Sequence, residues 1–166
     1  AVAGFTSGTQ VETLTAAAPA RLVYLTAAQT VAAGACSPAT LTVQSQDIYG
    51  NAANVTAATA VNLSSTSATT LFSAASGCAT TTTSVTMAAG TNTASFYFRD
   101  NVAGLPSVTA TAVGLTPAAQ VQTVTAAVAT ALAFVTGAQA VTAGACSSVA
   151  TVRVRDTFGN TATVAA

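Results

Sequence analysis

The chain has 166 residues and a net charge of zero, because four arginines balance four acids and there is no lysine or histidine. Nucleic acids and anionic membranes attract clustered cations, so this composition gives no electrostatic case for either partner. The longest apolar run, residues 126–135, is too short for a bilayer span, which takes about 20 residues. A serine or threonine nucleophile would lack its usual base, and the scattered acids form no evident pair. We therefore expect neither an enzyme nor a bound cofactor.

Alternating apolar and polar residues predict short β-strands along the whole chain. The predicted strands, in chain order, are residues 20–26, 40–47, 59–65, 69–74, 83–88, 95–100, 107–113 and 119–126. Glycine-containing turns separate them. About seven to nine short antiparallel strands within about 110 residues imply an all-β sandwich of two sheets with Greek-key connections.

The alternation also predicts which side chains face the core. On residues 40–47, Leu41, Val43 and Ser45 share one face of the strand. On residues 95–100 either of two alternating pairs could point inward. The aromatic residues for which core packing is expected are Tyr24, Phe96, Phe98 and Phe134.

The sequence repeats itself at an interval of about 110 residues. AQTVAAGACS at residues 28–37 returns as AQAVTAGACS at 138–147, and QDIYGN at 46–51 aligns with RDTFGN at 155–160. Self-similarity of this length indicates tandem domains.

The repeat divides the chain into three parts. We expect residues 1–15 to be the last strand of a preceding repeat, 16–126 to be one complete repeat, and 127–166 to be the first strands of a following repeat. On this interpretation the chain is a window on a longer tandem array.

The motifs QDIYGN and RDTFGN each combine a strand that ends in Asp with a Gly-Asn pair that follows after two intervening residues. An aromatic-rich strand and a closing VTATAVG strand follow the first of them. This arrangement resembles the bacterial immunoglobulin-like repeats of invasin- and intimin-type surface proteins. The resemblance covers the complete repeat and both partial ones. It implies an immunoglobulin-like Greek-key β-sandwich of an exported bacterial protein, located at the cell surface or in the extracellular space.

The chain contains three cysteines, and their pairing has two interpretations. In the first, Cys36 and Cys78 form a disulfide within the complete repeat, and Cys146, the equivalent of Cys36, pairs with a residue beyond the chain given. In the second, the cysteines are reduced or paired differently. An exported protein could keep such a bond. Closing the loop of about 43 residues between Cys36 and Cys78 would stabilise the fold by about 4 kcal/mol.

An aspartate followed by glycine and asparagine recurs in both copies. Its residues are Asp47, Gly50, Asn51, Asp156, Gly159 and Asn160. Such oxygen ligands could contribute to a calcium site, but calcium prefers about six to eight oxygens with several carboxylates among them. The favoured alternative is a structural turn, in which Asp accepts turn amides while Gly and Asn tolerate positive φ. We therefore expect no metal site.

These expectations lead to a functional hypothesis with one alternative. The chain would be a non-catalytic structural repeat module, a stalk or spacer in a long bacterial cell-surface or extracellular fibre or filament. Its partners would be neighbouring immunoglobulin-like repeats of the same protein, and the chain could also self-assemble into filaments. We expect no binding to nucleic acid and no insertion into a membrane. The alternative is an adhesin module that binds a host, cell-surface or glycan ligand directly. A binding face should differ between copies, and the visible copies mostly agree.

Overall fold

The computed structural model describes Gly4 and residues 8–164, which are arranged almost entirely in β-strands and loops. The strands are β1 (Arg21–Tyr24), β2 (Thr30–Ala32), β3 (Leu41–Gln46), β4 (Thr59–Ser65), β5 (Leu71–Ser73), β6 (Ser84–Met87), β7 (Thr93–Arg99), β8 (Ser107–Ala112), β9 (Leu115–Val121), β10 (Thr123–Thr125), β11 (Ala129–Phe134) and β12 (Val152–Asp156). One short 3-10 turn, Ser76–Cys78, lies between β5 and β6. Within the described part of the chain, no helix has the length and apolar character that a membrane span requires.

Eight strands form one curled, mixed sheet in the order β5-β7-β3-β1-β9-β8-β4-β6. Its neighbours are antiparallel except for β1 and β9, which run parallel and meet at Arg21 and Thr116. β2 and β10 form a separate parallel pair. The buried side chains of these strands form one hydrophobic cluster, an arrangement consistent with a β-sandwich, and we call β1–β10 the sandwich. The expectation that all strands would be antiparallel is wrong at these two parallel pairs.

The alternation on β3 and β7 places apolar side chains in the core. Every second residue of β3 is buried, beginning at Leu41. On β7, Phe96 and Phe98 are fully buried while Tyr97 and Arg99 are only partly covered, which decides between the two pairs that the sequence left open. A strand of a sheet that packs on the core with one face buries that face and leaves the other partly solvated.

An aromatic cluster lies at the centre of this core. Phe96 packs edge-on against Tyr24 and Phe72, with ring centroids 6.5 and 5.8 Å apart. The Tyr24 hydroxyl donates a hydrogen bond to the Val108 carbonyl oxygen. Burial of the Tyr24 side chain raises its pKa.

The predicted strand at 119–126 is two strands that change partners at Gln122. β9 pairs with β8, whereas β10 pairs with β2. Gln122 lies between them and is fully buried, and its Oε1 accepts a hydrogen bond from the Gln29 backbone N–H at 2.8 Å. Its Nε2 donates to Gln120 at 2.8 Å, so both ends of the buried amide are satisfied.

β11 and β12 pair with each other in an antiparallel manner, and we call them the C-terminal strand pair. Core packing of Phe134 on β11 was a wrong prediction, because its ring is 73% exposed. No described strand covers the face of β11 that carries it. Of the predicted strand at 1–15, residues 1–3 and 5–7 lie outside the described residues, and residues 8–15 are exposed and form no strand with the described part.

Candidate functional site

The Asp47 turn is built from local hydrogen bonds to one buried carboxylate. Asp47 Oδ1 accepts the backbone N–H groups of Tyr49 at 2.9 Å and Asn51 at 2.8 Å. Its Oδ2 accepts the Asn51 side-chain amide and the Ala17 backbone N–H, both at 2.9 Å. Gly50 has φ +92°, a conformation that favours glycine. The turn therefore ties the end of β3 to the segment that leads into β1.

This bonding pattern makes the Asp47 carboxylate the anchor of the turn. The hydrogen bonds, led by that from the Asn51 side chain, lower its pKa to about 2 against the opposing effect of burial. Each carboxylate oxygen accepts two N–H groups. Within the part of the chain that the structure describes, no three His, Cys, Asp or Glu side chains come together as metal ligands.

The Asp156 turn has the same bonds. Asp156 Oδ1 accepts the N–H groups of Phe158 at 2.9 Å and Asn160 at 2.8 Å, and Oδ2 accepts the Asn160 side chain at 2.8 Å and the Ala127 N–H at 2.9 Å. Gly159 has φ +86°. Burial works to raise the pKa of Asp156, but these hydrogen bonds together lower it. The two turns therefore have the same local structure, as the matching motifs suggest.

The two turns differ in their surroundings, because the Asp156 turn contacts the sandwich. Besides its bond to Asp156, the Asn160 amide donates to the Asn101 carbonyl oxygen at 2.9 Å, and its Oδ1 accepts the Ala103 N–H at 2.9 Å. The Phe158 ring lies against Gly34. We call this contact the joint: Phe158 and Asn160 on one side, and Gly34, Asn101 and Ala103 on the other.

Gly34 makes room for the Phe158 ring. A Cβ at position 34 would lie 2.4 Å from Phe158 Cζ, which is closer than any Cβ contact allows. Gly34 also has φ +79°, a conformation that side chains disfavour. Its backbone N–H donates to the Asp100 carbonyl oxygen at 2.7 Å, so the glycine turn and the loop after β7 form one surface.

Asp100 organises that loop, and it was not among the residues predicted from the sequence. Its side chain is fully buried and accepts hydrogen bonds from the Val102 N–H at 3.0 Å, from the Thr70 hydroxyl at 2.5 Å and from the Thr69 hydroxyl. Burial works to raise the pKa of Asp100, but the bonds from Thr69 and Thr70 help to lower it. The available signal was an aspartate at the end of a strand, as in the two predicted turns.

The structure brings Cys36 and Cys78 together in a disulfide, with their Cα atoms 5.6 Å apart. The backbone of Cys36 forms an isolated antiparallel β-bridge with Arg99 at the end of β7. Cys78 ends the 3-10 turn and has φ +54°. The disulfide therefore fastens the connection between β5 and β6 to the loop that follows β2. Among the described residues, Cys146 is a free and exposed cysteine.

Several solved structures match this chain over part of their length. A β-glycosidase from Bacteroides vulgatus matches with a TM-score of 0.50 and 11% identity, over 65% of this chain and 14% of that one. A glycosyl hydrolase family 2 member from Bacteroides cellulosilyticus matches with a TM-score of 0.49 and 18% identity, over 66% and 15%. Domains 4-9 of the surface layer protein SbsC match with a TM-score of 0.45 and 20% identity, over 87% and 21%.

At 11% identity, the match to the Bacteroides vulgatus β-glycosidase supports a β-sandwich fold and gives no information about activity. The chain spans only a small part of each of these proteins. No protein-family model matches the sequence, and no curated protein matches it.

Proposed function

We propose that this chain is a structural module of a bacterial extracellular or cell-surface fibre, in which immunoglobulin-like Greek-key repeats are stacked end to end as a stalk or spacer. The observation that carries the proposal is the joint. The Asp156 turn, whose motif matches that of the Asp47 turn, docks on the end of the sandwich through two hydrogen bonds and one aromatic ring.

The chain segment that connects the sandwich to the C-terminal strand pair also supports a stiff connection. Only residues 126–128 separate β10 from β11. Val124, just before them, is buried in the sandwich, and the Ala127 N–H is bound to the Asp156 carboxylate. A flexible linker of many unbound residues would let two domains reorient freely, whereas here both ends of a very short connection are held.

The placement of the charged residues also fits a spacer. Three of the four acidic side chains, Asp47, Asp100 and Asp156, are buried and bonded to turn or loop groups within the fold. They act within the fold, where they stabilise turns and the joint, and not on a surface that could attract a ligand.

The joint can be tested by NMR relaxation of backbone amides in the 166-residue chain. We expect the C-terminal strand pair and the sandwich to tumble with one common correlation time. Asn160→Ala removes the bond to Asp156 and both bonds across the joint, so the strand pair should then reorient independently.

Asn51→Ala is the matched control for this experiment. It removes the same bond to the turn aspartate, but Asn51 makes no hydrogen bond across the joint, so the common correlation time should persist. Independent tumbling of the strand pair in the unsubstituted chain would contradict a stiff module.

A further inference from the structure

We propose that the exposed turn Tyr49–Asn51, at the other end of the sandwich, is a docking surface for a second copy of the repeat. That copy would stand ahead of residue 16 in the same polypeptide and would present its own Gly34 and Asn101–Ala103 surface. The inference rests on the proposed function and adds to it a named partner and the residues that bind it.

The first support is the unused bonding capacity of Asn51. In both turns one amide hydrogen of the asparagine is donated to the aspartate. In Asn160 the second donor and the Oδ1 acceptor bind the loop after β7. Asn51 holds the same groups in the same local structure, and in the described part of the chain neither of them bonds to a backbone group of another loop.

The second support is the exposure of the aromatic residue in each turn. Phe158 is 43% exposed where it lies against Gly34, whereas its counterpart Tyr49 is 78% exposed. Both are planar rings of similar size that follow the aspartate by two residues. The Tyr49 ring could therefore pack against the Gly34 surface of another copy in the way that Phe158 packs against Gly34 here.

The third support is the groove beside Tyr49. It is lined by Leu14, Thr15, Ala17, Asp47 and Asn51. Leu14 is 93% exposed, but its counterpart in the repeat, Val124, is only 3% exposed because it lies in the sandwich core next to the joint. A second copy seated here would bury Leu14 as Val124 is buried, since residues 10–15 carry the sequence of that copy's last strand.

A lengthened chain tests this proposal. Residues 16–125 are duplicated in tandem, so that a leading copy precedes the second copy, and the leading copy alone is labelled with ¹⁵N by segmental ligation. We expect the leading copy to share one correlation time with the rest of the chain. Tyr49→Ala in the second copy should abolish that common value, because this Tyr49 faces the leading copy's Gly34.

The same substitution in the leading copy is the matched control, because that Tyr49 has no repeat ahead of it, and it should leave the common correlation time intact. Independent tumbling of the leading copy in the unsubstituted tandem would overturn the docking proposal. So would common tumbling that Tyr49→Ala in the second copy leaves unchanged. In either case the Asn160 experiment on the 166-residue chain still decides the proposed function separately.

Discussion

Removing the Cys36–Cys78 disulfide should lower the free energy of unfolding by about 4 kcal/mol. The two cysteines are 42 residues apart, and the chain-entropy model gives about that value for a crosslink that closes a loop of this length. A domain of ordinary stability unfolds at about 5–15 kcal/mol, so the disulfide would supply a large share of the total. The variant is Cys36→Ala with Cys78→Ala, and Cys146→Ala is added to both proteins to prevent thiol exchange.

Urea unfolding followed by circular dichroism measures this difference. The variant should unfold at lower urea and with a larger dependence on urea, because an unfolded chain without the crosslink exposes more surface. The parent protein under a reductant is the control, and its unfolding curve should coincide with that of the variant. A difference below about 1 kcal/mol would refute the entropic argument. A free thiol at Cys36 or Cys78 in the folded protein, found by peptide mapping without reduction, would refute the pairing itself.

Two further predictions concern the buried carboxylates and the aromatic core. The folded-state pKa of Asp47 is about 2 against an ordinary 3.8, so its stabilisation is complete above that ordinary value and is lost as the pH falls through 2. The melting temperature should therefore fall as the pH is lowered from 3.8 to 2. This fall should be smaller in Asp47→Asn and unchanged in the exposed control Glu12→Gln. A melting temperature that stays constant between these two pH values would contradict the prediction. Phe96→Ala should cost about 3–5 kcal/mol in urea unfolding, while the exposed control Val113→Ala should cost less than about 0.5. A Phe96 variant as stable as the control would exclude Phe96 from a packed core.

The features that could be predicted from the sequence are those that depend on neighbouring residues. Alternation placed Leu41 and Val43 on the buried face of β3, because successive side chains of a strand point to opposite faces. The turn at Asp47 was likewise accessible, since aspartate bonds to amides that follow it closely and glycine takes the positive φ.

The pairing of distant strands could not be predicted in the same way. β2 has three residues, too few for an alternating pattern to stand out, and only its pairing with β10 makes it a strand. The division of the last predicted strand depends on Gln122, whose amide is satisfied by Gln29 and Gln120. Tertiary contacts of this kind override local propensity.

The joint is the part of the candidate site that sequence patterns could not reveal. Asn160 binds a carbonyl oxygen at Asn101 and an N–H at Ala103, and backbone groups have no signature in the sequence. Glycine-containing turns are predictable from the sequence, but the role of Gly34 in leaving space for the Phe158 ring depends on a residue far away along the chain.

The Asp156 turn links local folding to the contact with the sandwich. The Asn160 side chain is held by Asp156 before it reaches the loop after β7, so little of its rotamer freedom remains to be lost when the joint forms. On the other side, Asp100 holds the loop that supplies the Asn101 carbonyl and the Ala103 N–H. Two hydrogen bonds between surfaces that are already ordered hold an orientation better than the same bonds between mobile loops. The buried carboxylates of Asp100 and Asp156 thus order both surfaces of the joint.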